Sequence, residues 1–108
     1  MTLVDLVARR VAIVGESMRP TLSDGDEVIA VRPWRRVRRG DLVVLADPRE
    51  PRRWIVKRVG ERRGGRLELR GDNPDRSTDS RDFGPVAARD VRYLVPARLN
   101  GLARGERR

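Results

Sequence analysis

Lys57 is the only lysine among the 25 basic residues of this 108-residue chain; every other one is arginine. It lies in the run Trp54-Ile55-Val56-Lys57-Arg58-Val59, where arginine would suit a solvated surface at least as well. Arginine stays protonated in any protein, whereas a lysine desolvated among apolar neighbours can lose its proton and act as a base. The sequence contains neither histidine nor cysteine. That excludes a Ser-His-Asp triad, a Cys-His pair and a zinc held by His or Cys. For nucleophilic chemistry near neutral pH, a serine with a lysine base is the leading option left. Composition by itself fits better an arginine-rich chain with one leftover lysine, so the decision falls to motifs.

The serine of interest is Ser17, in Gly15-Glu16-Ser17-Met18-Arg19-Pro20-Thr21-Leu22. It follows the apolar run Val11 to Val14 and a glycine, so it can project from a strand end with its backbone N–H turned to a substrate. Pro20 stops the strand from continuing. Such Ser-x-x-Pro turns are common and usually structural. Around Lys57 the two-residue period of a strand puts Ile55, Lys57 and Val59 on one face and Trp54, Val56 and Arg58 on the other. A lysine between two β-branched residues is desolvated and favours its neutral form. The same pattern fits a lysine that snorkels from the end of an apolar face into water. A third segment, Gly71 to Pro85, is rich in Asp and Ser. Read as a calcium loop starting at Asp72, it places Pro74, Arg76 and Phe83 where ligands should stand, and so fails. Asx-type turns and an Asp79/Arg81 charge pair would instead fix it, leaving hydroxyls such as Ser77 free to contact a neighbour.

The elements that must position these residues are mostly strands. Thr2 with Asp5 reads as a cap for a short helix over residues 2–10. Residues 11–14, 27–31, 42–46, 53–60, 66–70 and 92–95 read as strands bounded by turn signals, with Gly64-Gly65 closing a hairpin. Residues 104–108 read as a frayed tail. Short strands at close spacing predict a mostly β fold, a small antiparallel barrel or folded sheet with a short N-terminal helix. The chain is expected to be one domain over 1–108, its core spanning about 11–95, with a basic tail from 100 onward. Gly71 to Pro85 is the longest stretch without an expected element, and a loop that long in so small a domain is usually functional.

Together these segments resemble the type I signal peptidase family, whose members use a Ser-Lys dyad. Ser17-Met18-Arg19-Pro20-Thr21-Leu22 is similar to the family's nucleophile box. Arg39-Gly40-Asp41 with Leu42 to Leu45 resembles its Arg-Gly-Asp-hydrophobic strand, and Val56-Lys57-Arg58-Val59 its base box. Gly71 to Pro85 resembles its Gly-Asp-Asn…Ser-x-Asp-Ser-Arg…Gly box. The four stand in the family's order, with the sole lysine at the base position. The resemblance implies Ser17 as the acylated nucleophile and Lys57 as the general base. It implies that Ser77 orients the amine and that Asp79 and Arg81 brace the loop. Some members carry an oxyanion-hole hydroxyl two residues before the nucleophile; here that residue is Gly15, so the donor must be backbone, mainly the Ser17 N–H. Val11, Ile13, Met18, Leu22, Ile55 and Val56 match positions lining the family's pockets for small side chains. The short, arginine-rich form without the usual membrane anchor or extra β domain resembles the nickel-type superoxide dismutase maturation proteases, which implies trimming of a leader from that dismutase; the alternative within the family is a Sec-type signal peptidase I core lacking its anchor. No cofactor and no metal is implied. The expected partner is a protein substrate with an N-terminal leader, and the expected location is cytoplasmic, with membrane association as the alternative.

The formal net charge of +9 makes anionic partners a question in its own right. The arginines are scattered over loops and the aromatics are only Trp34, Trp54, Phe83 and Tyr93, few for a base-stacking surface, so a nucleic-acid-binding module is the disfavoured rival. A LexA-like self-cleaving domain shares the Ser-Lys chemistry but needs an Ala-Gly or Cys-Gly site upstream, which this sequence lacks. No segment reaches the ~20 apolar residues of a membrane span; residues 3–14 are broken by Asp5, Arg9 and Arg10. Peripheral membrane contact stays open.

Overall fold

The strand that carries Lys57, β4 (Glu50–Arg63), is the longest element of a computed structural model that describes residues 8–78 and 80–98. The other strands are β1 (Ala8–Ala12), β2 (Glu27–Val31), β3 (Leu42–Asp47), β5 (Arg66–Arg70), β6 (Val86–Ala87) and β7 (Tyr93–Arg98). They form one seven-stranded sheet in the order β1-β2-β7-β3-β4-β5-β6, and every neighbouring pair is antiparallel. The mostly β, folded-sheet expectation is met. β2 and β5 have the bounds read from the sequence. β4 runs further at both ends because it has a partner at each: Glu50 faces Asp47 of β3, and Arg63 faces Arg66 of β5 across the Gly64-Gly65 turn.

Strand β1 corrects the end of the helix expected over 2–10, at residues 8–10. Residues 8–10 are strand, paired residue for residue with β2 from Ala8↔Val31 to Ala12↔Glu27; residues 1–7 lie outside the described residues, as does the tail from 99. At residues 8–10 ladder hydrogen bonds to a formed strand outweigh a short helical period, which is marginal by itself. The stretch 71–85 is not structureless either. It holds a 3-10 turn at Pro74–Arg76, started by a proline, and a helical turn, α1 (Ser80–Phe83). Too short to show a period, β6 pairs along the free edge of β5.

Consecutive residues of β3, β4 and β7 feed different cores, as a two-residue period demands. One cluster holds Val43, Leu45, Val59, Leu67, Leu69 and Leu94, with Ile55 packed against it. The other holds Ile13, Met18, Leu22 and Val28, with Leu42, Val56 and Val95 packed against it. Both faces of the central strands are therefore covered, which explains why β3 reads as an unbroken apolar run. Lys57 stands opposite Val43 and is only 4% exposed.

Candidate active site

Ser17 sits on a loop that prolongs the β1–β2 hairpin. Beyond the paired residues the Ile13 N–H donates to the Asp26 carbonyl at 2.7 Å and the Gly25 N–H to the Ile13 carbonyl at 2.9 Å. At the loop's start Gly15 takes φ +91°, a left-handed conformation that favours glycine, and its N–H is held by Asp24 Oδ1 at 2.8 Å. The loop is anchored by its apolar members. Met18 and Leu22 are each 2% exposed in the second core, and the Leu22 N–H donates to the Met18 carbonyl at 2.9 Å. Half-buried Ser17 is thus fixed by the side chain that follows it in sequence.

Lys57 reaches the site from the sheet. Its Nζ donates to Ser77 Oγ at 3.0 Å. The snorkelling alternative left open by the alternating pattern is therefore not what the fold adopts: the amine points to a hydroxyl at a buried position. Ser80, the next serine along, has a different task. Its Oγ accepts the Leu69 N–H at 2.8 Å, docking α1 on β5.

The Ser77 segment is tied to the Ser17 loop by contacts that the sequence reading did not assign. The Asn73 N–H donates to the Ser17 carbonyl at 2.8 Å and Asn73 Nδ2 to the Glu16 carbonyl at 3.0 Å. Asp72 accepts both Nε and Nη2 of Arg58, at 2.9 and 2.8 Å, together with the Thr21 hydroxyl. The Arg58 guanidinium, and then the Thr21 hydroxyl, hold the Asp72 carboxyl below the ordinary aspartate value despite partial burial. Gly71 is the spacer. A Cβ there would collide with the Ser77 side chain and stand 2.9 Å from the Ser17 carbonyl oxygen. Nothing in the sequence marks that role beyond a glycine placed beside the Asp-Asn pair, because the collision partners are 6 and 54 residues away in the chain.

Ser17 and Lys57 line one cleft of about 690 Å³. Of the residues expected to bind substrate, Val11, Ile13, Met18, Ile55 and Val56 line it; Leu22 is in the core and is not among its lining. Gly15 flanks the cleft with its N–H already engaged, Arg81 is exposed on α1, and Asp79 lies outside the described residues. Trp54, with Arg49, Arg53 and Arg76, adds a rim that the sequence reading did not foresee. Among the described residues no cluster of acids suits a metal ion, and no helix is long and apolar enough to cross a membrane.

Comparison with known proteins points the same way. A family model described as signal peptidase, peptidase S26, matches residues 1–70, a span that includes Ser17 and Lys57 but ends before Ser77. Subunit 2 of the mitochondrial inner membrane protease of Mus musculus is 31% identical over 112 residues, covering 81% of this chain and 64% of that protein. Subunit 1 of the Homo sapiens protease is 34% identical over 95 residues, covering 67% and 57%. The mitochondrial ATP-independent inner membrane protease subunit 1a of Arabidopsis thaliana is 35% identical over 98 residues, covering 67% and 58%. The chain spans less than two thirds of the length of each of these relatives.

Proposed function

This chain belongs to the signal peptidase family, peptidase S26, and from that membership we propose that it is a serine endopeptidase that removes an N-terminal leader from a protein substrate. The observation that carries the reading is Lys57, a residue only 4% exposed whose amine donates to Ser77 Oγ at 3.0 Å, on the wall of the cleft that Ser17 also lines. Burial favours the neutral amine that a general base needs. In this mechanism Lys57 Nζ takes the Ser17 Oγ proton as the oxygen attacks the scissile carbonyl. The tetrahedral intermediate collapses, and Lys57 returns the proton to the leaving amine. Water, deprotonated by the same lysine, then releases the acyl group from Ser17. Among the described residues no acceptor engages the Ser17 N–H, which supports its use as an oxyanion donor; the Gly15 N–H, committed to Asp24, is not a second one.

The substrate reading follows the relatives as a signal-peptidase core. They are named as inner membrane proteases, which favours a membrane surface over the cytoplasmic location expected first. The narrower expectation, maturation of a nickel-type superoxide dismutase, gains no support from those relatives. Ser17→Ala tests the nucleophile. The purified variant should melt with the wild type while losing cleavage of a leader peptide, read by mass spectrometry, to background. Undiminished cleavage by the variant removes Ser17 from the mechanism.

A further inference from the structure

The β2–β3 connection carries five arginines in residues 32–39 and no acid until Asp41. One of the five is structural. Arg35 donates through two nitrogens to Asp41, both at 2.9 Å, and its guanidinium lies 5.4 Å from the Trp34 ring centroid. The Arg38 N–H also donates to Asp41 at 2.9 Å, buried Val37 plugs the first core, and Arg62 holds the Val37 carbonyl at 2.9 Å. The connection is thus a fixed platform. What it presents outward is Trp34, 58% exposed, with Arg32, Arg36, Arg38 and Arg39, all exposed and none in an ion pair with another described residue. Beside it lies a shallow depression of about 320 Å³ whose only charged lining residues are Arg35, Arg36, Arg62 and Arg89. The cleft with Ser17 and Lys57 shares no residue with this surface.

We infer that this Trp34 platform docks the protein on a bilayer rich in anionic phospholipid. Tryptophan settles at the headgroup level because its ring is apolar and its N–H polar, and clustered arginines gain from the negative potential of the surface. A single exposed indole on a connection with four exposed arginines suits that interface better than a nucleic acid, whose stacking surfaces need successive aromatics. The inference rests on the membrane placement proposed above and not on the Ser-Lys chemistry, so binding and cleavage are read separately.

The test uses the full chain with two kinds of vesicle, phosphatidylcholine alone and phosphatidylcholine with about one third phosphatidylglycerol. The protein should float with the anionic vesicles and not with the neutral ones. Each arginine near such a surface is worth about fivefold in partitioning, so Arg36→Glu/Arg38→Glu/Arg39→Glu should lower it on the order of 100-fold or more. Cleavage of a soluble leader peptide by this variant should stay at the wild-type rate. Arg52→Glu/Arg63→Glu/Arg66→Glu, the same change in net charge elsewhere, should lower partitioning far less. Should the first triple variant fail to fold, the Trp34 emission measured in a Trp54→Phe background decides: it should shift to the blue on binding, and Trp34→Ala should weaken binding. Equal loss in both triple variants, an unshifted Trp34, or displacement from vesicles by a single-stranded oligonucleotide that binds more tightly would overturn the inference.

Discussion

Two serines three residues apart have different partners, and the proposed mechanism gives only one of them a part in turnover. Ser77 meets Lys57 Nζ, whereas Ser80 accepts a backbone N–H from β5. Ser77→Ala should therefore lower kcat with a small change in melting temperature, the lost hydrogen bond costing on the order of 1 kcal/mol in the transition state. Ser80→Ala should lower the melting temperature and leave kcat of the folded fraction nearly intact. The opposite pattern would reassign the loop. At Lys57 a second substitution isolates proton transfer. Lys57→Met keeps an apolar stem of similar length but offers no base, so the variant should fold, bind leader peptide and fail to cleave it. Peptide affinity by fluorescence polarisation, set beside turnover, reads the two effects apart.

At the scale of the element, the Ser17 loop and the segment from Gly71 to Ser77 form one unit held to β4 by Arg58. The two pieces touch so closely at Gly71 that the smallest side chain is excluded. Gly71→Ala must move either Ser77 or the Ser17 carbonyl. Overpacking of this kind costs typically ~1–3 kcal/mol, and here the displaced groups are Ser77, which accepts from the Lys57 amine, and the backbone of Ser17. Turnover should fall at least about tenfold, the equivalent of ~1.4 kcal/mol, while a Gly→Ala change at Gly65, where a Cβ meets nothing within 4 Å, should leave it unchanged. Steady-state kinetics on the two variants check this, and equal effects would remove the spacer role.

At the scale of the whole molecule, two bidentate pairs pin connections to the sheet: Arg58–Asp72 under the site and Arg35–Asp41 under the Trp34 platform. Both carboxyls are held below the ordinary aspartate value, each chiefly by the hydrogen bond from its arginine. A folded pKa below the unfolded one means that the unfolded chain binds more protons as the pH falls. Each pair therefore contributes stability that is fully present above the unfolded aspartate value of ~3.9 and is lost as pH drops through the lowered folded value. Part-exposed pairs contribute modestly, so the expectation concerns shape. Melting temperature should fall from about pH 4 downward, and Asp72→Asn should flatten that fall while lowering stability at neutral pH. An acid limb identical in the variant would show that other carboxylates govern it.

Residue types alone narrowed the nucleophilic chemistry open to the chain: with no histidine or cysteine and one lysine, Ser-Lys was the leading option left, and four boxes in order pointed to the family. Strands β2 and β5 were legible to the residue, and β3, β4 and β7 in place, because a two-residue period and Gly-Gly or Gly-Asp turns are local signals that survive without tertiary context; β6 and the start of β1 were not. Tertiary structure was needed to tell whether Lys57 points to Ser77 or out to water, since both outcomes share one alternating pattern. It alone separated Ser77 from Ser80, removed Leu22 from the cleft, turned residues 8–10 from helix to strand, and made Gly71 a spacer between Ser77 and Ser17. Each of these depends on a partner distant along the chain, and local propensity carries no information about which distant backbone or side chain will arrive there.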